Sequence, residues 1–167
     1  MSQITNTVLM IRPVQFRMNE QTAVNNYYQK VLEDTLPETV NAKAVQEFDI
    51  MVIKLKKAGI QVIVVEDSKE FDTPDSIFPN NWISFHENGT IGLYPMFAEN
   101  RRLERKDSII EAVEAEGFKI ETVVDYTTAE EDGYYLEGTG SILLDRENQK
   151  AYCALSARAD EELFIEF

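Results

Sequence analysis

A unit of two short strands, a helix and a third strand occurs twice in this chain, about sixty residues apart, and that repeat constrains the fold more than any other feature. In the first copy, residues 82–86 and 90–94 alternate apolar and polar side chains around Glu87-Asn88-Gly89, and Asn-Gly between two such runs is a strong hairpin signal. Residues 100–116 follow with Leu103, Ile109, Ile110 and Val113 at helical spacing and Gly117 as a stop, and residues 119–124 (K-I-E-T-V-V) read as a strand. The second copy repeats the hairpin over 141–145 and 150–154, turns at 146–149, and starts a helix within 158–167. Ile83 corresponds to Ile142 and Phe85 to Leu144. A ββαβ unit cannot bury its apolar face alone, so its copies must stack or close around an axis, as in propellers and solenoids. The expected class is α/β, with the second copy stopping in its helix before the closing strand.

Upstream, residues 7–11 (T-V-L-M-I) read as a buried strand stopped by Arg12-Pro13. Residues 19–33 are polar, with Tyr27, Val31 and Leu32 at helical offsets, and suggest a surface excursion. Residues 45–58 place Val45, Phe48, Val52 and Leu55 on one helical face before Gly59. Residues 61–65 (Q-V-I-V-V) are nearly continuously apolar, the pattern of a central strand covered on both sides.

The chain has 167 residues, the size of one domain, and carries 30 acids against 16 bases, a formal net charge of -14. That balance argues against binding nucleic acid or an anionic membrane, though it also serves plain solubility. Apolar runs are far too short to span a bilayer and no secretory leader is visible, so a cytoplasmic protein is expected. One cysteine allows no internal disulfide, and one histidine makes a zinc site improbable. No metal or cofactor is expected.

Residues 74–86 (P-D-S-I-F-P-N-N-W-I-S-F-H) gather two prolines, two adjacent asparagines, an acid and the sole tryptophan and histidine. The prolines bias Thr73 and Phe78 towards extended geometry, so the run is a shaped, irregular entry to a strand. It serves either as a display of ligand-binding groups or as a turn anchored by a core Trp82. At equivalent ends of the two units stand Asp75, Asn80 and Asn81, then Glu137 in L-E-G-T-G-S; Arg101 and Arg102 follow the first hairpin and Arg158 the second. An arginine at a helix start gains nothing from the helix dipole. Holding a carboxylate would account for it, since the guanidinium fork matches that geometry; pairing with a neighbouring acid is the alternative, preferred for Arg101 and Arg105. Two acids and two arginines converging would suit an amino acid with a cationic or amide-like end, such as arginine or citrulline.

The blocks P-D-S-I-F-P-N-N-W, N-R-R-L-E-R, L-E-G-T-G-S and Y-C-A-L-S-A-R, in that order, resemble the N-terminal half of the amidinotransferase and guanidine-modifying (pentein) superfamily. The nearer likeness is to its dimethylarginine dimethylaminohydrolase-like branch, especially bacterial citrulline-utilisation hydrolases. The resemblance implies a five-bladed α/β propeller of ββαβ units, with residues 1–167 as the N-terminal part of that single domain, an incomplete propeller of about half the blades. It implies that Asp75 grips the guanidinium or ureido nitrogens. Glu137 would orient the catalytic histidine or the substrate, with Thr139-Gly140-Ser141 departing from the usual block. Arg102, with Arg101 as the alternative, and Arg158 would clamp the substrate carboxylate. Asn80 and Asn81 stand where many relatives have an acidic pair or Arg-Asp, which favours a neutral ureido group such as that of citrulline.

The family mechanism needs a cysteine thiolate to attack the guanidino or ureido carbon, a histidine to shuttle protons, and water to hydrolyse the adduct. In relatives both residues lie beyond position 167. His86, beside a turn, and Cys153, among apolar neighbours, are not expected to replace them. The expectation is a substrate-gripping half, truncated or split and inactive alone, that needs its missing C-terminal half or self-associates. A non-catalytic amino-acid-binding protein and a structural remnant are the alternatives. Leu163, Phe164 and Phe167 begin an apolar helical face with no stop signal after it, which predicts a marginally stable chain.

Overall fold

The Asn88-Gly89 hairpin forms as its sequence directs: in the computed structural model, which describes residues 3–26 and 36–167, β3 (Ile83–Phe85) and β4 (Thr90–Leu93) pair antiparallel. Ile83 stands opposite Leu93 and Phe85 opposite Ile91. Gly89 has φ +78°, and a Cβ there would lie 2.7 Å from the Lys119 carbonyl, so only glycine fits where the turn meets the incoming strand. Helix α4 (Asp107–Ala115) crosses over, and β5 (Thr122–Asp125) joins β4 in parallel, giving the order β3-β4-β5. That is the ββαβ unit. In the second copy β6 (Ile142–Asp145) pairs antiparallel with β7 (Lys150–Cys153), followed by α6 (Glu161–Glu166). Ile83 and Ile142, the corresponding residues of the two hairpins, are both buried.

A third sheet precedes these. β1 (Thr7–Arg12) and β2 (Gln61–Glu66) run parallel, with Leu9 opposite Ile63, connected through α1 (Glu20–Ala23) and α2 (Pro37–Lys57). The part of the polar excursion over 27–33, with Tyr27, Val31 and Leu32, lies outside the described residues. Two apolar clusters form the core. Ile11, Trp82, Ile83, Ile91, Met96 and Ile109 make one; Tyr94, Leu136, Ile142 and Ala159 make the other, against which Phe164 and Phe167 pack. Trp82 is a core anchor, 1% exposed, and its Nε1 is a buried donor with no partner among the described residues.

Several boundaries differ from expectation for local reasons. The helix read over 100–116 is two pieces, α3 (Glu99–Arg102) and α4, because Lys106 adopts an extended backbone while its ammonium sits 2.6 Å from Asp67. Leu103, expected on the apolar face, falls in that break and is exposed. Helix α2 begins at Pro37, a favoured first-turn residue, eight positions before residue 45. Strand β2 is not covered along its length: Val62 and Ile63 are buried, whereas Val64 is exposed in a two-stranded sheet. Trp82 belongs to the end of a 3-10 turn (Pro79–Asn81) and not to β3. Helix α6 starts after Asp160, whose carboxylate caps the amides of Glu162 and Leu163. Among the described residues no helix is long and apolar enough to cross a membrane.

Candidate functional site

The repeat brings two equivalent turns face to face. The 3-10 turn Pro79–Asn81 packs against α5 (Gly138–Ser141), which occupies the same place before the second hairpin. Gly138 has φ +33°, and a Cβ there would stand 2.6 Å from the Asn80 carbonyl. A Cβ on Gly140 would overlap the Asn81 amide. The G-T-G sequence therefore lets backbone approach backbone, and Thr139 Oγ1 donates to the Asn80 carbonyl at 3.3 Å to close the contact. Asn80 supplies that carbonyl while its residue remains exposed.

Glu137 sits where the turns meet and is 1% exposed. Its Oε2 accepts from Asn81 Nδ2 at 3.1 Å and lies 3.5 Å from Arg158 Nη1; its Oε1 accepts from the Phe97 amide at 3.3 Å. A buried carboxylate survives only with such partners. The Glu137 amide also donates to the Arg158 carbonyl at 3.0 Å, so the two residues are joined through backbone and side chain. Arg158 Nε donates to Asn25 Oδ1 at 2.9 Å and Nη2 to the Thr22 carbonyl at 2.9 Å.

Asp75 is equally enclosed. Its Oδ2 accepts from Asn19 Nδ2 at 2.8 Å and Thr22 Oγ1 at 3.1 Å. Asn19 in turn exchanges amide hydrogen bonds with Asn100, at 3.2 and 3.0 Å. The segment around α1 thus links Asp75 to Arg158. Asn19, Thr22, Asn25 and Asn100 were not singled out from the sequence. The one signal for them is Asn19 as a helix cap, whose Oδ1 accepts from the Gln21 amide.

Arg102 stands beside this cluster and not within it. Its Nε donates to the Met96 carbonyl at 3.0 Å, its guanidinium lies over the Tyr135 ring, and Glu130 is 3.6 Å away. The Phe97 backbone separates the two groups: the Phe97 N–H binds Glu137 and the Phe97 carbonyl accepts from Arg102 at 3.5 Å. Arg101 and Arg105 pair with acids, as expected of them. Arg101 makes a bidentate contact with Glu104 at 2.9 and 3.0 Å, and Arg105 one with Glu130 at 2.7 and 2.9 Å. Burial pushes the Glu104 carboxyl up to about 7 against the pull of Arg101, with Asp75 and Asp67 adding to the rise.

His86 and Cys153 make no hydrogen bond to this cluster among the described residues. Arg146 Nη1 lies 3.2 Å from His86 Nδ1, and since a guanidinium only donates, Nδ1 accepts and Nε2 carries the proton towards Ser84 Oγ at 2.9 Å. Ser84 Oγ is 2.7 Å from the Tyr94 hydroxyl. Burial, then the Arg146 charge, lowers the His86 pKa. Cys153 is opposite Ile142 in the second apolar cluster, where burial raises its pKa and favours the thiol. No group of three or more histidine, cysteine, aspartate or glutamate side chains is placed to hold a metal ion among the described residues.

A family model described as N,N dimethylarginine dimethylhydrolase, eukaryotic, matches residues 12–167. No match to a curated protein was found. Among solved structures, the chain is similar to the N-terminal domain of ArgZ bound to substrate, an arginine dihydrolase from the ornithine–ammonia cycle in Cyanobacteria. The TM-score is 0.66 at 20% identity, covering 95% of this chain and 53% of that one. A dimethylarginine dimethylaminohydrolase adduct with S-methyl-L-thiocitrulline gives 0.64 at 19%, covering 96% and 54%. A complex of an AgrE mutant with L-arginine gives 0.61 at 20%, covering 95% and 21%. At these identities the likeness establishes the shared α/β fold, and the chain spans about half the length of the ArgZ N-terminal domain and of the dimethylarginine dimethylaminohydrolase chain.

Proposed function

The chain belongs to the N,N-dimethylarginine dimethylhydrolase family of guanidine-modifying (pentein) proteins, and from that premise we propose that it supplies the substrate-holding side of a site acting on the guanidino or ureido group of an amino acid. The observation that carries this reading is the buried Glu137 at the entry of the second turn, tied to Asn81 of the first turn and to Arg158 after the second hairpin, with Asp75 linked to Arg158 through the segment of Asn19, Thr22 and Asn25. In the wider arrangement, the three sheets are part of a ring of five units, and the facing turns lie at its axis.

Each group has a role set by its chemistry. Asp75 Oδ1 carries no hydrogen bond among the described residues and accepts from ligand N–H groups. Arg158 exchanges the neutral Asn25 oxygen for the ligand's charged carboxylate, a stronger acceptor. Arg102 offers a second cation across the Phe97 backbone. Asn81, an amide in place of an acid, leaves less negative charge near the ligand's far end and so favours citrulline over arginine, while Asn80 acts through its carbonyl. Glu137 orients Asn81 and Arg158. A thiolate nucleophile and a proton-shuttling histidine come from polypeptide other than the described residues, on the same chain or on a partner. Ammonia release from L-citrulline and L-arginine, measured with and without an added C-terminal half of a related enzyme, tests this: turnover only in the reconstituted sample supports it. The positions of His86 and Cys153 favour a second reading, a binder without chemistry. It predicts ligand binding with no turnover in either sample.

A further inference from the structure

One buried ion pair lies directly beneath the proposed site and has no role in the reading above. Arg101 and Glu104 side chains are 3% and 1% exposed and make two parallel hydrogen bonds. Arg101 Nη2 also reaches two backbone carbonyls, Phe78 O at 3.0 Å and Asp75 O at 3.4 Å. Those carbonyls are the acceptors that shape the turn: Phe78 N donates to Asp75 O at 3.0 Å, and Asn81 N to Phe78 O at 3.2 Å. The turn carries Asp75 at one end and Asn81 at the other. Neighbouring Asn100 holds the Asn19 amide that binds the Asp75 carboxylate. Two consecutive residues of α3 therefore brace Asp75 from its side chain and from its backbone.

We propose that Glu104 is a positioning residue. By holding the Arg101 fork it keeps the guanidinium against the carbonyls of Asp75 and Phe78, and so fixes where Asp75 and Asn81 stand. This role rests on the proposed ligand site for its consequence, but its local part is independent of any ligand. Hydrophobic replacement of a buried ion pair is often neutral or stabilising, so the pair is not needed for burial alone. What an apolar pair cannot do is donate to the two carbonyls. Glutamine at position 104 keeps the shape but turns an N–H towards Arg101 and loosens the fork.

The experiment compares the full chain with Glu104→Gln and with the double variant Arg101→Met/Glu104→Leu, by amide hydrogen exchange and by calorimetric titration with L-citrulline and L-arginine. In folded variants the Phe78 and Asn81 amides should exchange at least about tenfold faster relative to the His86 amide, which is bonded to Thr90 at the opposite end of the hairpin from the turn that carries Asp75 and Asn81. Affinity for the amino acid should fall by at least about tenfold with the melting temperature of the double variant retained. If the Phe78 and Asn81 amides change only in step with His86, the proposal is overturned, whatever the titration shows. Unchanged affinity in both variants against a binding wild type also overturns it. A wild type that binds neither amino acid refutes the proposed ligand site, and the exchange ratio then decides the role of Glu104 alone.

Discussion

Asn81 Nδ2 donates to Glu137 Oε2 at 3.1 Å across 56 residues of sequence, and this bond joins the entry turns of the two hairpins. Its geometry depends on two glycines. Alanine at 138 must adopt a left-handed backbone and meet the Asn80 carbonyl, and alanine at 140 meets the Asn81 amide. Each substitution should cost about 1–3 kcal/mol. Urea melts measure the cost, and Gly133→Ala is the control, since it is also left-handed but a Cβ there meets nothing within 4 Å.

Glu137→Gln should destabilise the chain although it changes little in shape. The carboxylate accepts on both oxygens, from Phe97 on one and from Asn81 on the other. A carboxamide has one oxygen, so its NH2 confronts one of those donors, an imbalance that costs about 1–3 kcal/mol. Denaturant titration reads this directly.

The contribution of His86 to stability should fall as the pH drops through the histidine range, while Glu104, its carboxyl raised to about 7, contributes in the opposite direction over the same range. His86 has a folded pKa below its ordinary 6.5, so the unfolded chain takes up the proton first. The contribution is complete above about 6.5 and is lost as the pH falls through the lower folded value, because burial first, and then the Arg146 charge facing Nδ1, disfavour the imidazolium. His86→Gln, whose amide can accept from Arg146 and donate to Ser84, should remove that contribution, so the wild type loses stability relative to the variant as the pH falls while the Glu104 contribution is common to both. Thermal melts from pH 8 to 5 on both proteins test it.

The sequence legibly encoded the parts set by local rules. Asn88-Gly89 located the first hairpin, and the correspondence of Ile83 with Ile142 located the second. Glu137, Asn81 and Arg158 stand at equivalent ends of a repeat in the sequence, and the fold brings them together. The break between α3 and α4 was invisible because it is set by Lys106 reaching Asp67, 39 residues away. Asn19 and Thr22 were missed for a similar reason: in sequence they read as a polar surface segment, and only the long-range contact with Asp75 makes them buried. The position of Arg102 after the hairpin does not reveal that Tyr135 and Glu130 lie beside it.

Leu143 and Tyr152 stand opposite each other on the outward face of β6–β7, 65% and 51% exposed. The net charge of -14 opposes contact between copies at low salt, and added salt screens it over about 10 Å at 0.1 M. Light scattering should therefore rise with sodium chloride in the wild type and much less in Leu143→Lys. A wild type that stays monomeric at high salt removes this face from consideration.

The most direct test of the site is calorimetric titration of L-citrulline and L-arginine into the wild type, Arg158→Ala and Cys153→Ser. Arg158 contributes a charge-assisted hydrogen bond to the ligand carboxylate in this account, so its removal should weaken binding by about 1.5–3 kcal/mol. Cys153→Ser, at the end of β7 against the second apolar cluster, should bind as the wild type does, and citrulline should bind more tightly than arginine. Binding of neither amino acid to the wild type, or equal affinity in Arg158→Ala, would contradict the account.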